Sequence, residues 1–358
     1  MKFLFTAGGG QATVFGAAPL ATAARNAGHE ILLAADEPLL DVAESIGIPA
    51  VSISAELIRY GQGATMASAR LGALLDLTED WTPDLVVGGL SFVPGVLAAC
   101  LKVPYVRQAW IPGTNPDRDR RAEEELQPEL ERLGLQGLPV PDLFIDVCPP
   151  SLRSPQAHGG QPMRWIPRNR QRRLESWMYT RPQGRPRVLI TSGTRTLLLG
   201  ISGGSMRHLL DELTLAGAEV LIAAPEKTAE EFGTELGDVR IGWIPLDVVA
   251  PTCDLAVHHG GATTAMTITN AGVPQLIIPD NGYGKAVAQA LSGFGAAAMV
   301  EPQEQAPGQD PGQVIAAGCR EIFATPRYAR QAQALAAEIA TLPTPGEVVH
   351  MLETLAAA

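Results

Sequence analysis

Short apolar runs alternate with longer amphipathic segments along both halves of the chain. In the first half, the runs KFLFTA from Lys2, ILLAA from Ile31 and DLVVGG from Asp84 have the length of buried strands, and residues 14–27 have the spacing of a helix. A second series of such runs begins with RVLIT at Arg187. Because strands that alternate with helices form parallel sheets, the pattern predicts an α/β protein with two such sheets.

Residues 254–279, DLAVHHGGATTAMTITNAGVPQLIIP, contain the clearest chemical signal in the chain. An apolar strand ends at His258 and His259, two glycines follow, and a helix-forming segment begins beyond them. The N–H groups at the start of a helix carry about half a positive charge, and glycine lets an anion approach the backbone. Because the histidine pair, the two glycines, Thr263 and Thr264 coincide, we favour a diphosphate-binding turn over an ordinary strand-to-helix turn.

Two other segments of the second half are predicted to reach the same edge of the sheet. Residues 191–194 (TSGT) follow a predicted strand, so their N–H groups and hydroxyls would lie beside His259 at the carboxyl ends of the strands. Trp243 follows another predicted strand. Its indole ring would either stack on a nucleotide base or fill the core, and the sequence leaves both open.

The first half contains a partial match to a dinucleotide-binding fingerprint. The first strand ends in the glycines at residues 8–10, and Asp36 follows the second strand, where such a fingerprint has its ribose-binding acid. The position of the third glycine, however, is occupied by Thr13. An NAD-dependent oxidoreductase is therefore only a runner-up interpretation.

Residues 151–187 are rich in Pro, Arg, Gln and Gly and have little periodicity, which is typical of a connection between domains. We predict an N-terminal domain over residues 1–165, a linker over 166–185 and a C-terminal domain over 186–342. Two Ala-rich helices, separated by the Pro-Thr-Pro break, end the chain.

Composition narrows the range of partners. The chain has 358 residues, 46% of them apolar, which is enough for two domains. Its net charge of -11 argues against a nucleic-acid or anionic-membrane surface. The four cysteines have no metal-ligand spacing, and no apolar segment is long enough for a signal peptide or a membrane span. We therefore expect a cytoplasmic protein with buried thiols, no metal, and no nucleic-acid or membrane partner.

The segment VRIGWIPLDVVAPTCDLAVHHGGATTAMTITNAGVPQLIIP resembles the donor-binding region of bacterial antibiotic glycosyltransferases of the GT-B fold. These are inverting enzymes that move a deoxysugar from a nucleoside-diphosphate sugar to a natural product. The likeness extends to ITSGT, to FIDVCPPSLR from Phe144 and to the pattern APLATAARNAGHE, so it covers nearly the whole chain. It implies two facing Rossmann-like, doubly wound domains, with residues 343–358 crossing back onto the first.

The resemblance also implies a role for each matching residue. The positions that would hold the diphosphate are Ser192, Gly193, Thr194, His259, Gly260, Gly261, Thr263 and Thr264. Trp243 and the main chain of Ile244 would hold the base. A donating histidine at a helix N-terminus stabilises a leaving diphosphate electrostatically, so the resemblance implies a reaction without metal or cofactor, with the nucleotide sugar as co-substrate.

Two departures from the family pattern concern the acceptor side, where the turn contains Gly10 and Thr13. Many relatives have a catalytic histidine where this chain has Thr13, and a partner aspartate where it has residues 88–91 (GGLS). A phenol, with a pKa near 10, needs a base less than an aliphatic alcohol does, so we expect an aromatic, polyketide-type acceptor. Asp142 and Asp146 are candidate replacement bases. The product is an O-glycoside or, through the electron-rich ring carbon, a C-glycoside.

Two further departures concern the donor. An Asp-Gln pair that binds sugar hydroxyls in many relatives falls on Tyr283-Gly284, and a ribose-binding glutamate of plant relatives falls on Thr267. Both replacements remove hydrogen-bond acceptors, which suits a dTDP-deoxysugar. Because the histidine is missing, a second interpretation stays open, in which the chain is a non-catalytic helper protein that binds a partner transferase. The sequence also leaves open whether the chain forms a homodimer.

Overall fold

The computed structural model of the chain describes residues 1–56, 64–109, 116–153, 160–193, 201–232, 239–301 and 309–358. These residues form two compact units. Unit 1 comprises the described residues of Met1–Cys148, Ser154–Arg164 and Leu342–Ala358, and unit 2 comprises those of Pro149–Arg153 and Trp165–Thr341. Thr194, one of the predicted donor-binding residues, lies outside the described residues.

Each unit is built on a parallel sheet. In unit 1 the strands are β1 (Lys2–Ala7), β2 (Glu30–Asp36), β3 (Ala50–Ser54), β4 (Leu85–Gly88), β5 (Tyr105–Ala109), β6 (Leu143–Asp146) and β7 (Gln161–Pro162). In unit 2 they are β8 (Arg187–Thr191), β9 (Glu219–Ala223), β10 (Arg240–Gly242), β11 (Leu255–His258), β12 (Gln275–Ile277) and β13 (Ala297–Met299). The spatial orders are β3-β2-β1-β4-β5-β6-β7 and β10-β9-β8-β11-β12-β13, with every pair parallel. Both sheets therefore have the doubly wound, Rossmann-like order, as predicted.

The helices connect successive strands and end the chain. In chain order they are α1 (Gln11–Asn26), α2 (Leu40–Ser45), α3 (Ala64–Asp80), α4 (Val93–Leu101), α5 (Pro116–Arg132), α6 (Ser176–Tyr179), α7 (Gly203–Leu215), α8 (Glu226–Phe232), α9 (Leu246–Val249), α10 (Ala262–Asn270), α11 (Gly282–Phe294), α12 (Pro311–Ala324), α13 (Pro326–Thr341) and α14 (Pro345–Ala356). Several begin with proline in the first turn, where its missing N–H costs nothing because that group has no partner within the helix.

The unit 2 sheet is covered by helices on both faces. Alternate residues of β8 point to opposite sides: Val188 and Ile190 belong to the core under α7 and α12, whereas Leu189 belongs to the core under α9 and α10. Both faces of the strand are therefore apolar, which is why β8 reads as a continuous apolar run in the sequence.

The last helix belongs to unit 1. Helix α14 packs against α1, and Nε2 of His29 donates to Oε1 of Glu353 at 2.8 Å. The N–H of Arg164 donates to the carbonyl of Pro343 at 2.7 Å, just before α14 begins. The end of the chain is thereby attached to the unit in which the chain begins.

Three features of the described residues concern the thiols, membrane-spanning helices and metal ligands that the sequence analysis considers. Cys148, Cys253 and Cys319 are buried free thiols, and Cys100 is a half-buried one. No helix among the described residues is both long and apolar enough to cross a bilayer. The same residues contain no group of three or more His, Cys, Asp or Glu side chains placed to hold a metal ion.

Candidate functional site

The ends of β8 and β11 are adjacent at the switch point of the unit 2 sheet, where the strand order reverses. Thr191 and His258, the last residues of the two strands, are direct neighbours in the register. A Cβ placed on Gly193 would lie 3.4 Å from Cε1 of His259, so the turn after β8 contacts the turn after β11. The structure thus brings Ser192 and Gly193 beside His259, at the position where doubly wound sheets bind ligands.

The turn after β11 requires glycine at residue 260. Gly260 has a φ of 85°, in the left-handed region that glycine adopts without strain. A Cβ at this residue would also lie 2.8 Å from both Cα and the carbonyl oxygen of Gly284, which is in the first turn of α11. The backbone of the turn therefore packs directly against α11, without side chains between them.

Two helix N-termini adjoin this turn. Helix α10 begins immediately after Gly261, which has no side chain to cap the first N–H groups of the helix. Helix α11 begins after Asn281, whose Oδ1 accepts the N–H of Gly284 at 2.9 Å. Because each N-terminus carries a partial positive charge, the turn is suited to an anion such as a diphosphate.

The predicted threonines and Tyr283 lie in the first turns of these two helices or just beyond them. Thr263 is half-buried in α10, whereas Thr264 and Thr267 are only 9% and 3% exposed. Tyr283 is half-buried in the first turn of α11. The structure therefore places Thr263, Thr264 and Tyr283 in the first turns of the two helices that adjoin the turn, and Thr267 one turn further along α10.

Trp243 and Ile244 follow the edge strand β10 at the same carboxyl edge. Ile244 is buried in the core with α9. Trp243 is half-buried, and the guanidinium carbon of Arg172 lies 5.0 Å from the centroid of its ring. Arg172 also pairs with Glu226. One face of the indole ring is thus covered by a cation that is itself held by a carboxylate, a contact that the sequence did not predict.

A buried polar series behind the turn was also not predicted. His258 is fully buried, and its Nδ1 accepts the N–H of Gly260 at 3.1 Å, while its Nε2 lies 2.8 Å from Oε1 of Gln275. Nε2 of Gln275 donates to Oγ1 of Thr269 at 2.8 Å, and that hydroxyl donates to the carbonyl of Ala265 at 2.8 Å. Burial lowers the pKa of His258 to about 4, so the ring is neutral at pH 7. The signal in the sequence was a glutamine that opens an otherwise apolar strand.

A pocket in unit 1 lies at the corresponding switch point, beyond the ends of β1 and β4. Its polar and glycine lining residues include Gly8, Thr13, Arg70, Gly89, Ser91 and Gln108. The hydroxyl of Thr13 donates to the carbonyl of Gly10 at 2.7 Å, and the N–H of Thr13 donates to the same carbonyl at 3.1 Å. Thr13 therefore stabilises the start of α1 and supplies no titratable group to the pocket.

The structure corrects the dinucleotide interpretation of Asp36. The side chain of Asp36 is fully buried and pairs with Arg70, and the N–H of Gly9 lies 3.4 Å from its Oδ2. The guanidinium of Arg70 covers Gly8, because a Cβ there would lie 2.7 Å from Nη1. A carboxylate that is buried under an arginine is not available to a ribose hydroxyl, so the acid of the supposed fingerprint has a structural role.

Two polar atoms of the pocket wall have no hydrogen-bond partner within the described residues. They are Nε of Arg70, a donor, and Oε1 of Gln108, an acceptor; both side chains are more than nine-tenths buried. Nε2 of Gln108 already donates to the carbonyl of Gly16 at 2.8 Å, which fixes its orientation. Buried polar atoms normally have partners, so these two atoms are exceptions to that rule.

The two candidate bases lie at opposite ends of strand β6. Asp142 precedes the strand, and its Oδ2 accepts the N–H of Tyr105 at 2.8 Å, at the amino edge of the sheet. The structure does not bring Asp142 to the pocket, which is at the carboxyl edge. Asp146 does lie at the carboxyl edge, but it is 5% exposed and its Oδ1 accepts the N–H of Cys148 at 2.9 Å. It also stands three strands away from β1.

Comparison with known proteins identifies two family models that match most of the chain. The N-terminal domain of the "Erythromycin biosynthesis protein CIII-like" family matches residues 56–193, and its C-terminal domain matches residues 207–355. Together they cover more than half of the chain.

Individual relatives match over nearly their full length. The chain is 33% identical to an L-demethylnoviosyl transferase of Streptomyces niveus, over 98% of this chain and 97% of that protein. It is 27% identical to an aclacinomycin-T 2-deoxy-L-fucose transferase of Streptomyces galilaeus, over 100% and 96%. Among solved structures, the spinosyn rhamnosyltransferase SpnG in complex with thymidine diphosphate superposes with a TM-score of 0.86 at 28% identity, over 99% of this chain and 100% of that one.

Proposed function

Because the chain belongs to the erythromycin biosynthesis protein CIII-like family and is a glycosyltransferase of the GT-B fold, we propose that it transfers a deoxysugar from a dTDP-sugar to an aromatic, polyketide-type acceptor. The transfer is a direct displacement that inverts the anomeric centre. One observation carries this proposal: the turn at residues 258–261, where His259, two glycines and two helix N-termini adjoin.

The chemistry assigned to this turn is stabilisation of the leaving group. The acceptor hydroxyl releases its proton to solvent and its oxygen forms a bond to the anomeric carbon. The bond from that carbon to the diphosphate breaks, and dTDP leaves with the electron pair. Negative charge grows on the diphosphate oxygens during this step. His259 and the first N–H groups of α10 donate to those oxygens, and donors that are already in place need no reorganisation as the charge develops.

The choice of nucleotide is supported by the ribose position and by a relative. Thr267 stands where plant relatives have a ribose-binding glutamate, and it is buried in α10. A site without that acceptor loses nothing when the nucleotide lacks the 2′-hydroxyl. The thymidine diphosphate in the solved SpnG complex agrees with this preference.

We expect dTDP to bind at least as tightly as UDP. Titration calorimetry with both nucleotides under the same conditions measures this directly. A clear preference for UDP would contradict the ribose assignment at Thr267, and the absence of binding by either nucleotide would contradict the donor site as a whole.

The phenolic acceptor is supported by the pocket of unit 1. Thr13 supplies no base there, so an aliphatic alcohol would have nothing to remove its proton at that position. A phenolic hydroxyl ionises far more readily, so it depends less on a base at that position.

The same phenol is able to form either an O-glycosidic or a C-glycosidic bond, and analysis of the product shows which one has formed. Attack by oxygen gives an O-glycoside. Attack by the neighbouring ring carbon, which shares the charge of the phenolate, gives a C-glycoside once that carbon has lost its proton to solvent and the ring is aromatic again. We propose that the C-glycoside forms when the carbon lies closer to the anomeric centre. Heating the product in acid tests this, because release of free sugar identifies the O-glycoside and leaves the transferase assignment untouched.

A further inference from the structure

His258, the buried neighbour of His259, takes no direct part in the proposed chemistry. Its ring lies between the turn that carries His259 and the second strand of the same motif, β12. It is fully buried, and both of its ring nitrogens are within hydrogen-bond distance of fixed partners. A buried polar ring with two partners is costly to place and strongly constrained once it is placed.

The two ends of the polar series fix the direction of every hydrogen bond in it. At one end, the N–H of Gly260 is only able to donate, so Nδ1 of His258 carries no proton. The proton of the neutral ring is then on Nε2, which donates to Oε1 of Gln275. At the other end, the carbonyl of Ala265 only accepts, so Thr269 donates to it and accepts from Nε2 of Gln275.

The series links three elements that meet at the turn. It begins at the backbone of Gly260, passes through β12 at Gln275, and ends in α10 at Ala265. Gly260 is the residue in the left-handed conformation, with its backbone against α11. The imidazole therefore holds the N–H of the one residue whose backbone conformation sets the direction of the turn.

We propose that His258 is a positioning residue for the diphosphate: through its bond to Gly260 it holds the turn in the shape that places His259 and the N-terminus of α10 on the leaving group. This inference rests on the proposed function, because it assigns a task within the diphosphate-binding turn. A positioning role differs from a purely structural one because loss of each of the two hydrogen bonds of His258 has a different effect on ligand binding. The bond to Gly260 sets ligand binding, and the bond to Gln275 sets the orientation and stability of the ring.

Two substitutions separate these bonds. An asparagine oxygen lies close to where Nδ1 of a histidine lies, so His258→Asn retains the bond from Gly260 and loses the link to Gln275. A glutamine amide reaches the position of Nε2, so His258→Gln retains the link to Gln275 and loses the bond from Gly260. Each variant loses one buried hydrogen bond, and we expect comparable losses of thermal stability from both.

The measurement is dTDP affinity by calorimetry, together with the melting temperature of each folded variant. We expect His258→Gln to weaken dTDP binding at least about tenfold and His258→Asn to stay within about threefold of the wild type, since a displaced donor loses most of its effect. Ile322→Val, in the core of the same unit, serves as a control that lowers stability without touching the turn. Equal losses in the two His258 variants, or wild-type affinity in both, would overturn the proposal.

A second measurement uses the wild-type protein, so it does not depend on whether the His258 variants fold. In wild-type protein labelled with ¹⁵N-histidine, long-range proton–nitrogen correlation spectra report which ring nitrogen carries the proton. The proposal requires a neutral ring protonated on Nε2 and slow hydrogen exchange of the Gly260 amide; protonation on Nδ1 contradicts it. A wild-type chain that binds no dTDP contradicts the proposed function, whereas binding with equal effects of the two variants contradicts this inference alone.

Discussion

Two histidines that are adjacent in sequence have opposite environments. His258 ends β11 and is fully buried with a pKa lowered to about 4, whereas His259 is half-buried in the turn beyond the strand, beside Gly193. Successive residues at a strand end point to different sides, so the identity of the side chain does not decide its role. Burial keeps one ring neutral as a hydrogen-bond partner, and the sheet edge leaves the other beside the candidate donor site.

At the residue scale, we expect His259→Ala to lower turnover by roughly a hundredfold or more while the protein stays folded. The reason is that a donor aimed at charge growing in the transition state contributes mostly to the rate. Steady-state kinetics measure the loss, and the melting temperature checks the fold. His350→Ala, the same substitution at an exposed histidine of unit 1, is the control and should retain activity. Near-wild-type turnover in folded His259→Ala would remove this histidine from the site.

At the element scale, the site depends on how closely α10 and α11 approach the turn after β11. The approach is possible because Gly260 and Gly284 have no side chains where the two backbones meet. From the sequence, the Tyr283-Gly284 pair indicates a sugar with fewer hydroxyls. The structure adds a packing reason, because a side chain at residue 284 would collide with the turn.

The paired substitutions Gly284→Ala and Gly282→Ala test this contact. A Cβ on Gly284 would lie 2.8 Å from the carbonyl oxygen of His259, whereas a Cβ on Gly282 would meet no atom within 4 Å. We expect Gly284→Ala to cost about 1–3 kcal/mol of stability by overpacking and to weaken dTDP binding. Gly282→Ala should be close to neutral or slightly stabilising. Thermal unfolding and calorimetry decide it, and equal behaviour of the two variants would show that the backbone contact does not shape the turn.

At the scale of the whole molecule, the chain ends in the unit where it begins. Helix α14 packs on α1, and the bonds from Arg164 to Pro343 and from His29 to Glu353 join the ends of unit 1 across long sequence separations. Helix α14 starts with a capping box, in which Oγ1 of Thr344 accepts the N–H of Glu347 at 3.3 Å and Oε2 of Glu347 accepts the N–H of Thr344 at 2.7 Å. The box satisfies two N–H groups that the helix itself leaves without partners.

We therefore expect Thr344→Ala to lower the free energy of unfolding of unit 1 by about 1 kcal/mol, as is usual for the loss of a helix cap. Thermal or urea unfolding measures the change. Because α14 belongs to unit 1 and the candidate donor site to unit 2, dTDP affinity should stay unchanged. Thr354→Ala, at an exposed position of the same helix with its hydroxyl bonded within α14, is the control. No difference between these two variants would mean that the cap contributes nothing to the stability of unit 1.

The sequence by itself determined the two parallel sheets and the glycine turn with His259, because apolar periodicity and turn residues act over short distances along the chain. The doubly wound order followed from the resemblance to a known family. The sequence also indicated that Ser192 and Gly193 would lie at the same carboxyl edge of the sheet as His259, since neighbouring parallel strands end together. Only the tertiary structure decided the environments of Asp36, Asp142 and His258. Each depends on a partner distant in sequence or on the end of the sheet at which the residue lies: Arg70 neutralises Asp36, Tyr105 binds Asp142 at the amino edge, and Gln275 holds His258. A pattern of side-chain types does not contain those partners, because burial and hydrogen bonding between distant segments arise only when the chain folds.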